Sequence, residues 1–363
     1  MTPPLLVGTR KGLFVLEADA DDRWTIRHHA FAGVPVSITA LDARDQTLYA
    51  GLAHGHFGVK LHRSDDLGAT WVELPAPAFP AGFPPDEADE PAPSVDLLWS
   101  LEPGAEPHEL WAGTIPGALF HSTDRGASWQ LVESLWNEER RRQWAGGGYD
   151  GPGIHSILPD PRDRGRLVIG VSSGGVWLSP DAGDHWTVGG AGLRATYMPE
   201  GREEEPTAQD PHRVVRCPAA PDRLWMQHHC GVFRSDDGGR NWIKIQGLPL
   251  SDFGFAVAVH PNDPDTAWFI PAESDEKRIP RDGRFGVTRT RDGGRSFELL
   301  DDGLPSPPAF DLVYRHGLAV APDGRSLAMG STTGSLWTSS DGGERWHHMS
   351  AHLPPIASVQ FAV

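Results

Sequence analysis

The sequence predicts an all-β fold, a seven-bladed β-propeller of four-stranded antiparallel blades, and three observations carry that prediction. The first is a recurring spelling, S-x-D-x-G-x-x-W, complete at Ser64–Trp71, Ser122–Trp129, Ser179–Trp186, Ser235–Trp242 and Ser339–Trp346. A variant runs from Thr290 to Phe297, and an eroded copy from Glu17 to Trp24 keeps Asp19 and the tryptophan. The second is spacing: Asp19, Asp66, Asp124, Asp181, Asp237, Asp292 and Asp341 follow one another at 47, 58, 57, 56, 55 and 49 residues. A period near fifty with four strand signals per unit is that of a propeller blade. The third lies at the ends. Residues 357–363 read as an opening strand with no unit after it, while the first unit lacks one; pairing 357–363 with 5–10 closes the ring and removes two sheet edges.

The repeated spelling has a structural explanation. An aspartate accepts bonds from amides just downstream and closes an Asx-type turn. The glycine takes the positive φ of a tight hairpin, and the tryptophan folds back between sheets. Seven copies at one turn position are scaffold, not seven active sites. Each unit then reads as an apolar strand, a Pro/Asp turn, a second strand, a Gly-rich loop, a third strand, the Asp turn and a fourth strand. In the sixth unit Phe255–Val259 and Thr266–Ile270 are the first two strands, and Leu48–Gly51, Leu110–Gly113 and Leu167–Gly170 are equivalent second strands. The expected blades are 5–30 with 357–363, 36–74, 95–132, 154–188, 212–246, 255–300 and 316–350, together one domain over 1–363.

Composition limits the partners. The net charge of −17 disfavours a nucleic-acid backbone or an anionic membrane surface. Only Cys217 and Cys230 are present, so no disulfide framework is expected. The first residues carry no basic n-region, and no apolar run reaches a membrane-spanning length. These features lead to the expectation of a cytoplasmic protein.

Irregular length falls on one face. In a propeller the fourth-to-first connections and the second-to-third loops open on the same side. The long segments 75–94, 131–153 and 187–211 are of the first kind and 271–285 is of the second. Long loops on a rigid scaffold carry function, although the acidic stretches 84–91 and 201–206 read as solvated decoration. Aligning the first strands on the proline of their Pro/Asp turn places His155, His212 and His316 at one equivalent position, with Phe255 in the sixth blade. Such positions ring the axis. Second-to-third loops add His56, His228, His229 and Cys230, and the 271–285 segment adds Glu273 and Asp275.

Convergent imidazoles are what a Zn, Fe, Mn or Cu site uses. His155, His212 and His229 are the expected metal ligands, and Glu273 the expected catalytic base or fourth ligand. Arg10, His56, His228, Arg315 and His316 are the expected substrate contacts, the arginines as anchors for an anionic group. Metal-assisted hydrolysis of a small or sugar-like ligand is the matching chemistry. The competing reading has each histidine bonded to a neighbouring loop, or the whole ring acting as a non-catalytic scaffold for a protein partner. Trp136, Trp144, Tyr149 and Tyr197 either stack on a ligand or form small cores under the loops. Arg140–Arg142 lie beside Glu138 and Glu139 and read as a solvated turn, and residues 146–148 do not make a phosphate loop.

The repeated turns resemble the BNR/Asp-box superfamily, which includes sialidases, xyloglucanases, sortilin-type receptors and photosystem assembly propellers. The segments GTRKGLF (8–14), QDPHR (209–213), QHHCGVFRSDDGG (227–239) and GSTTGSLW (330–337) are similar to bacterial stand-alone propellers described as glycosyl hydrolase-like or exo-alpha-sialidase-like. The resemblance implies fold more directly than activity. Sialidases would imply six blades, an early Arg-Ile-Pro motif, an arginine triad and a Tyr/Glu pair. Here Arg278-Ile279-Pro280 falls in the sixth blade, and Tyr314 precedes Arg315. Xyloglucanase-like relatives imply two propellers in tandem with paired acids across a cleft, and this chain has one. A glycosidase, sialidase-like in type, is therefore the alternative to the metal-assisted hydrolase.

Overall fold

Apolar first strands surround a common axis. They are Val36–Asp42, Leu97–Pro103, Gly153–Asp160, Pro211–Cys217, Gly254–Val259, Leu318–Val320 and, from the far end of the chain, Ile356–Phe361. Each touches the next around the ring, and Ile356–Phe361 also touches Val36–Asp42. The computed structural model describes residues 2–20, 23–85, 91–146 and 149–362. Seven four-stranded sheets result, each antiparallel, with bounds that run from Val36 to Leu74, Leu97 to Leu131, Gly153 to Val188, Pro211 to Ile245, Gly254 to Leu300 and Leu318 to Ser350 in blades two to seven.

Blade one is composite. Leu5–Thr9, Gly12–Ala18 and Trp24–Ala30 follow in order, and Ile356–Phe361 pairs with Leu5–Thr9 in the register Leu5–Phe361, Val7–Val359. Ile356, Val359 and Phe361 bury their side chains against Leu5, Val7 and residues of blade seven such as Leu336. The ring is thus closed by chain ends that lie some 350 positions apart in the sequence.

The repeated turns are built alike. Ser235 Oγ donates to Asp237 Oδ1 (2.9 Å) and accepts the Gly239 amide (2.9 Å), while Asp237 Oδ1 accepts the Asn241 amide (2.9 Å). Gly239 sits at φ 94°, where an added Cβ would approach Leu224, Leu178 and Val168 at 3.2–3.6 Å. Trp242 then swings back, its Nε1 on the Gly239 carbonyl, and buries its ring in the core shared with blade four. Even the eroded first copy keeps the Arg23 amide on Asp19 Oδ1 at 2.9 Å. Between blades, the same face is tied by ion pairs such as Arg216 to the fully buried Asp160, which Arg162 also holds.

These turns make acid sensitivity a property of the scaffold. The Thr70 hydroxyl and amide on Asp66, and those of Ser296 on Asp292, hold both carboxyls down at about 2. A carboxyl depressed in the folded state stabilises it above the unfolded value near 4, and that contribution is lost as pH falls through the folded value. The melting temperature should therefore drop between about pH 4 and pH 2. An Asp66→Asn/Asp292→Asn variant should start lower and fall less steeply over that window, as read by thermal melts monitored by circular dichroism.

Of the expected loop cores, Trp136 packs under blade three with Phe79 and Phe83, and Trp144 against Trp177 of blade four. Both are buried and neither lines a cavity at the channel mouth. Arg140 pairs with Glu138, while Arg141 lies buried with its guanidinium over the Trp136 ring. Arg140 and Arg142 are exposed, as a solvated and locally paired turn implies, and Arg141 alone turns inward as a clamp on the loop. Most of the acidic stretch 84–91, and two of the three glycines at 146–148, lie outside the described residues.

Candidate functional site

The mouth of the axial channel is assembled from segments that the fold brings to one face. The connection into blade five ends at Asp210, and its first strand begins immediately with Pro211. The second-to-third loop of the same blade, His229–Cys230, lies alongside, and the His229 amide donates to the Asp210 carbonyl (2.9 Å). Two residues further along the strand, His212 points to the side Asp210 occupies, so Asp210 Oδ2 is 3.4 Å from both His212 Nε2 and His229 Nδ1. From blade six the 271–285 loop brings Asp275, whose Oδ2 is 3.6 Å from His229 Nε2, and Arg278.

Around this cluster lies a cavity of about 280 Å³, bounded by Ser173, Tyr197, Phe255 and Arg315 as well as the cluster itself. A second cavity of about 530 Å³ adjoins it through Arg278 and Arg315, and reaches Arg10, Trp99, Tyr149 and Tyr314. His316 lines this second cavity and also a third, of about 460 Å³, lower in the channel. There Glu102 faces Arg213, and burial pushes its carboxyl up to about 7 against the opposing pull of that arginine.

Aromatic rings and guanidiniums alternate at the mouth. Arg315 is only 7% exposed, and its guanidinium lies 4.6 Å above the Trp99 ring and 5.6 Å from that of Phe255. Arg278 flanks the same Phe255 ring at 5.5 Å, with Nη1 3.4 Å from the Tyr314 hydroxyl. Among the described residues no carboxylate lies within ion-pair distance of Arg10, Arg278 or Arg315. Burial pulls Arg315 down to about 10, which leaves it charged at neutral pH. A buried, unpaired guanidinium is costly, and of the three cations at this mouth Arg315 alone bears that cost, Arg10 and Arg278 being exposed.

The expected residues divide accordingly. The structure brings together His212 and His229, and places Arg10, Arg315 and His316 on the cavities. His155 does not join the other two. Its imidazole turns into the seam between blades four and five, with Nε2 on the Pro211 carbonyl (2.7 Å) and Nδ1 on Ser156 Oγ (2.9 Å). Both ring nitrogens are engaged, and complete burial holds its pKa far below the usual value. His316 spans the channel to donate from Nε2 to the His155 carbonyl (3.0 Å). His228 is fully buried behind Asp210, its Nε2 3.1 Å from the Asp210 amide, so it supports the cluster from behind. His56 stands on an exposed turn, Gly55–Phe57, against Phe57, and lines neither mouth cavity. Glu273 is taken by Lys277 Nζ (2.9 Å) and also lines neither; Asp275, two residues on, is the carboxylate that reaches the cavity.

Asp210 and Trp99 are the residues the sequence reading passes over. Asp210 had a signal, since D-x-H at the start of a strand sets both side chains on one face. Trp99 had none, being one tryptophan in a buried strand.

No family model matches the chain. It is 24% identical over 327 residues to a probable oligoxyloglucan-reducing end-specific xyloglucanase of Neosartorya fischeri, covering 82% of this chain and 37% of that protein. It is 28% identical over 342 residues to an oligoxyloglucan-reducing end-specific xyloglucanase of Emericella nidulans, with coverage of 90% and 39%. Among solved structures it superposes on the GH74 xyloglucanase of Xanthomonas campestris with a TM-score of 0.67 at 18% identity, over 96% of this chain and 53% of that one. These curated relatives are xyloglucanases. The chain spans about two-fifths of the length of these curated relatives, and the likeness to the solved structure is one of fold.

Proposed function

We propose that this chain is a glycan-directed hydrolase whose channel mouth selects a sugar carrying an anionic group. The observation that carries the reading is the set of three guanidiniums, Arg10, Arg278 and Arg315, that line one cavity, the latter two against aromatic rings, with no carboxylate in ion-pair distance among the described residues. Planar guanidiniums suit carboxylate, sulfate or phosphate oxygens, and the exposed Tyr149 beside Trp99 presents an aromatic surface to the sugar. The xyloglucanase relatives support glycoside cleavage as the reaction class, and the S-x-D-x-G-x-x-W turns support a place among Asp-box propellers.

In this reading Asp275 takes the acid–base role in place of Glu273, because it alone of the 271–285 carboxylates lines a mouth cavity. The sugar lies along the larger cavity with its charged group on the arginines and its glycosidic bond toward Asp275. Asp275 gives its proton to the leaving oxygen as the glycosidic C–O bond breaks, and the water that adds at the anomeric carbon returns a proton to the Asp275 carboxylate.

The test is a panel of uronate-containing, sialylated, sulfated and neutral oligosaccharides, followed by reducing-end release and by ligand-observed NMR. Release from one charged class, with neutral analogues at least tenfold poorer in kcat/KM, is the expected result. Binding and release confined to neutral glycans overturn the anionic selection, and the absence of both across the panel overturns the reading.

A further inference from the structure

We infer that Asp210, His212 and His229 form a binding site for a divalent transition ion of the zinc class, open toward the smaller mouth cavity. This goes beyond the glycan reading and rests on other ligand atoms, with Asp275 shared between the two as the carboxylate behind His229.

The first ground is spacing. One oxygen of Asp210 and one nitrogen of each histidine lie within 4.8 Å of one another, and Oδ2 is 3.4 Å from each nitrogen. A tetrahedral ion with bonds of about 2.0–2.2 Å has ligand–ligand edges of about 3.3–3.6 Å, whereas adjacent ligands of an octahedral ion stand at about 2.8–3.1 Å. The two edges at Asp210 fit the tetrahedron.

The second ground is the direction of the protons. His212 Nδ1 is 2.6 Å from the Gly254 carbonyl, which only accepts, so Nδ1 carries the hydrogen. In the neutral ring the lone pair is then on Nε2, aimed at a carboxylate oxygen that also only accepts. A cation between them resolves that opposition. The stack of His212 on Phe255 (4.6 Å between centroids, 15° between planes) and its edge contact with Phe253 keep the imidazole in this pose.

The third ground is the supporting contacts. Asp210 Oδ1 accepts the Ser173 amide (3.0 Å) and faces the Ser172 hydroxyl (3.4 Å), which leaves Oδ2 for the imidazoles. His229 turns Nε2 toward Asp275, and a proton there places the lone pair on Nδ1, the atom facing Asp210 Oδ2. A backbone carbonyl behind one ligand histidine and a carboxylate behind the other are the outer contacts that fix tautomers at metal sites. Arg315, close enough to Asp210 to feel its charge, is the competing cation. It pairs with none of the cluster's oxygens within ion-pair distance.

Three protein ligands leave the fourth tetrahedral position to water or ligand, on the side of the 280 Å³ cavity that Ser173 and Arg278 also line. The test uses full-length protein without an affinity tag, stripped with chelator and titrated with zinc by calorimetry, with cobalt as the spectroscopic probe. One ion per chain is expected, with a tetrahedral cobalt spectrum and a raised melting temperature. Asp210→Asn and His229→Gln keep size and polarity, and each should weaken binding by more than about a hundredfold, beyond the roughly ten- to hundredfold loss that a supporting residue gives. Melts without metal establish that both variants fold. Failure of the wild type to take up an ion, or uptake unchanged in an Asp210→Asn/His229→Gln variant, overturns the site and leaves only ions held by surface histidines.

Discussion

A chain ending at Pro355 is expected to be unfolded at 25 °C, although only the last strand is missing. That strand, Ile356–Phe361, contributes the innermost position of blade one, and its removal leaves Leu5–Thr9 as an open edge facing the channel. Ile356, Val359 and Phe361 are each at most 5% exposed. Burying an aliphatic or aromatic side chain is worth about 1.5–3 kcal/mol, so the three together account for about 4.5–9 kcal/mol before the ladder bonds are counted. Domains are stable by about 5–15 kcal/mol in total. The same strand also contacts the first strands of blades two and seven, so the whole ring opens. Far-UV circular dichroism and proteolysis of the truncated chain check this, with Val359→Asp as an intermediate case. A cooperative melt of the truncated chain within a few degrees of the full one would show that the strand is not what closes the ring.

That closure was legible because it follows from counting. Every repeat writes its turn with the same residues, and local periodicity survives without any knowledge of tertiary contacts. The mouth was legible only in part. Aligning first strands on a proline fixes where a backbone lies, and His155, His212 and His316 do enter from equivalent places. It does not fix χ angles: Ser156 and the Pro211 carbonyl draw the His155 ring into a seam, while the Gly254 carbonyl and Phe255 hold that of His212 toward Asp210. Loops add a second limit. The choice between Glu273 and Asp275 depends on the path of residues 271–285, where Lys277 neutralises one carboxylate and leaves the other to the cavity.

Arg315→Met is expected to make the protein more stable and functionally poor, and the two effects have one cause. The guanidinium is 7% exposed, its Nε lacks a partner, and no carboxylate pairs with it among the described residues. Replacing a buried charge by an apolar side chain of similar volume is often stabilising by about 1–4 kcal/mol, here while keeping the packing against Trp99 and Phe255. An anionic ligand would lose a desolvated, charge-assisted contact of about 2–5 kcal/mol, and the midpoint corresponds to a fall in affinity of more than a hundredfold. Arg315→Lys should recover part of that affinity, because a point charge lacks the planar fork. Calorimetric melts and ligand titration of the two variants separate a functional charge from a structural one. A destabilised Arg315→Met protein, or one that binds charged glycans as well as the wild type, would mean that the guanidinium holds the blades together and that the anion site lies elsewhere. A rise in melting temperature with a loss of binding would instead mark Arg315 as a charge kept in the channel against the fold's own preference, at the point where Arg278 and Trp99 meet it.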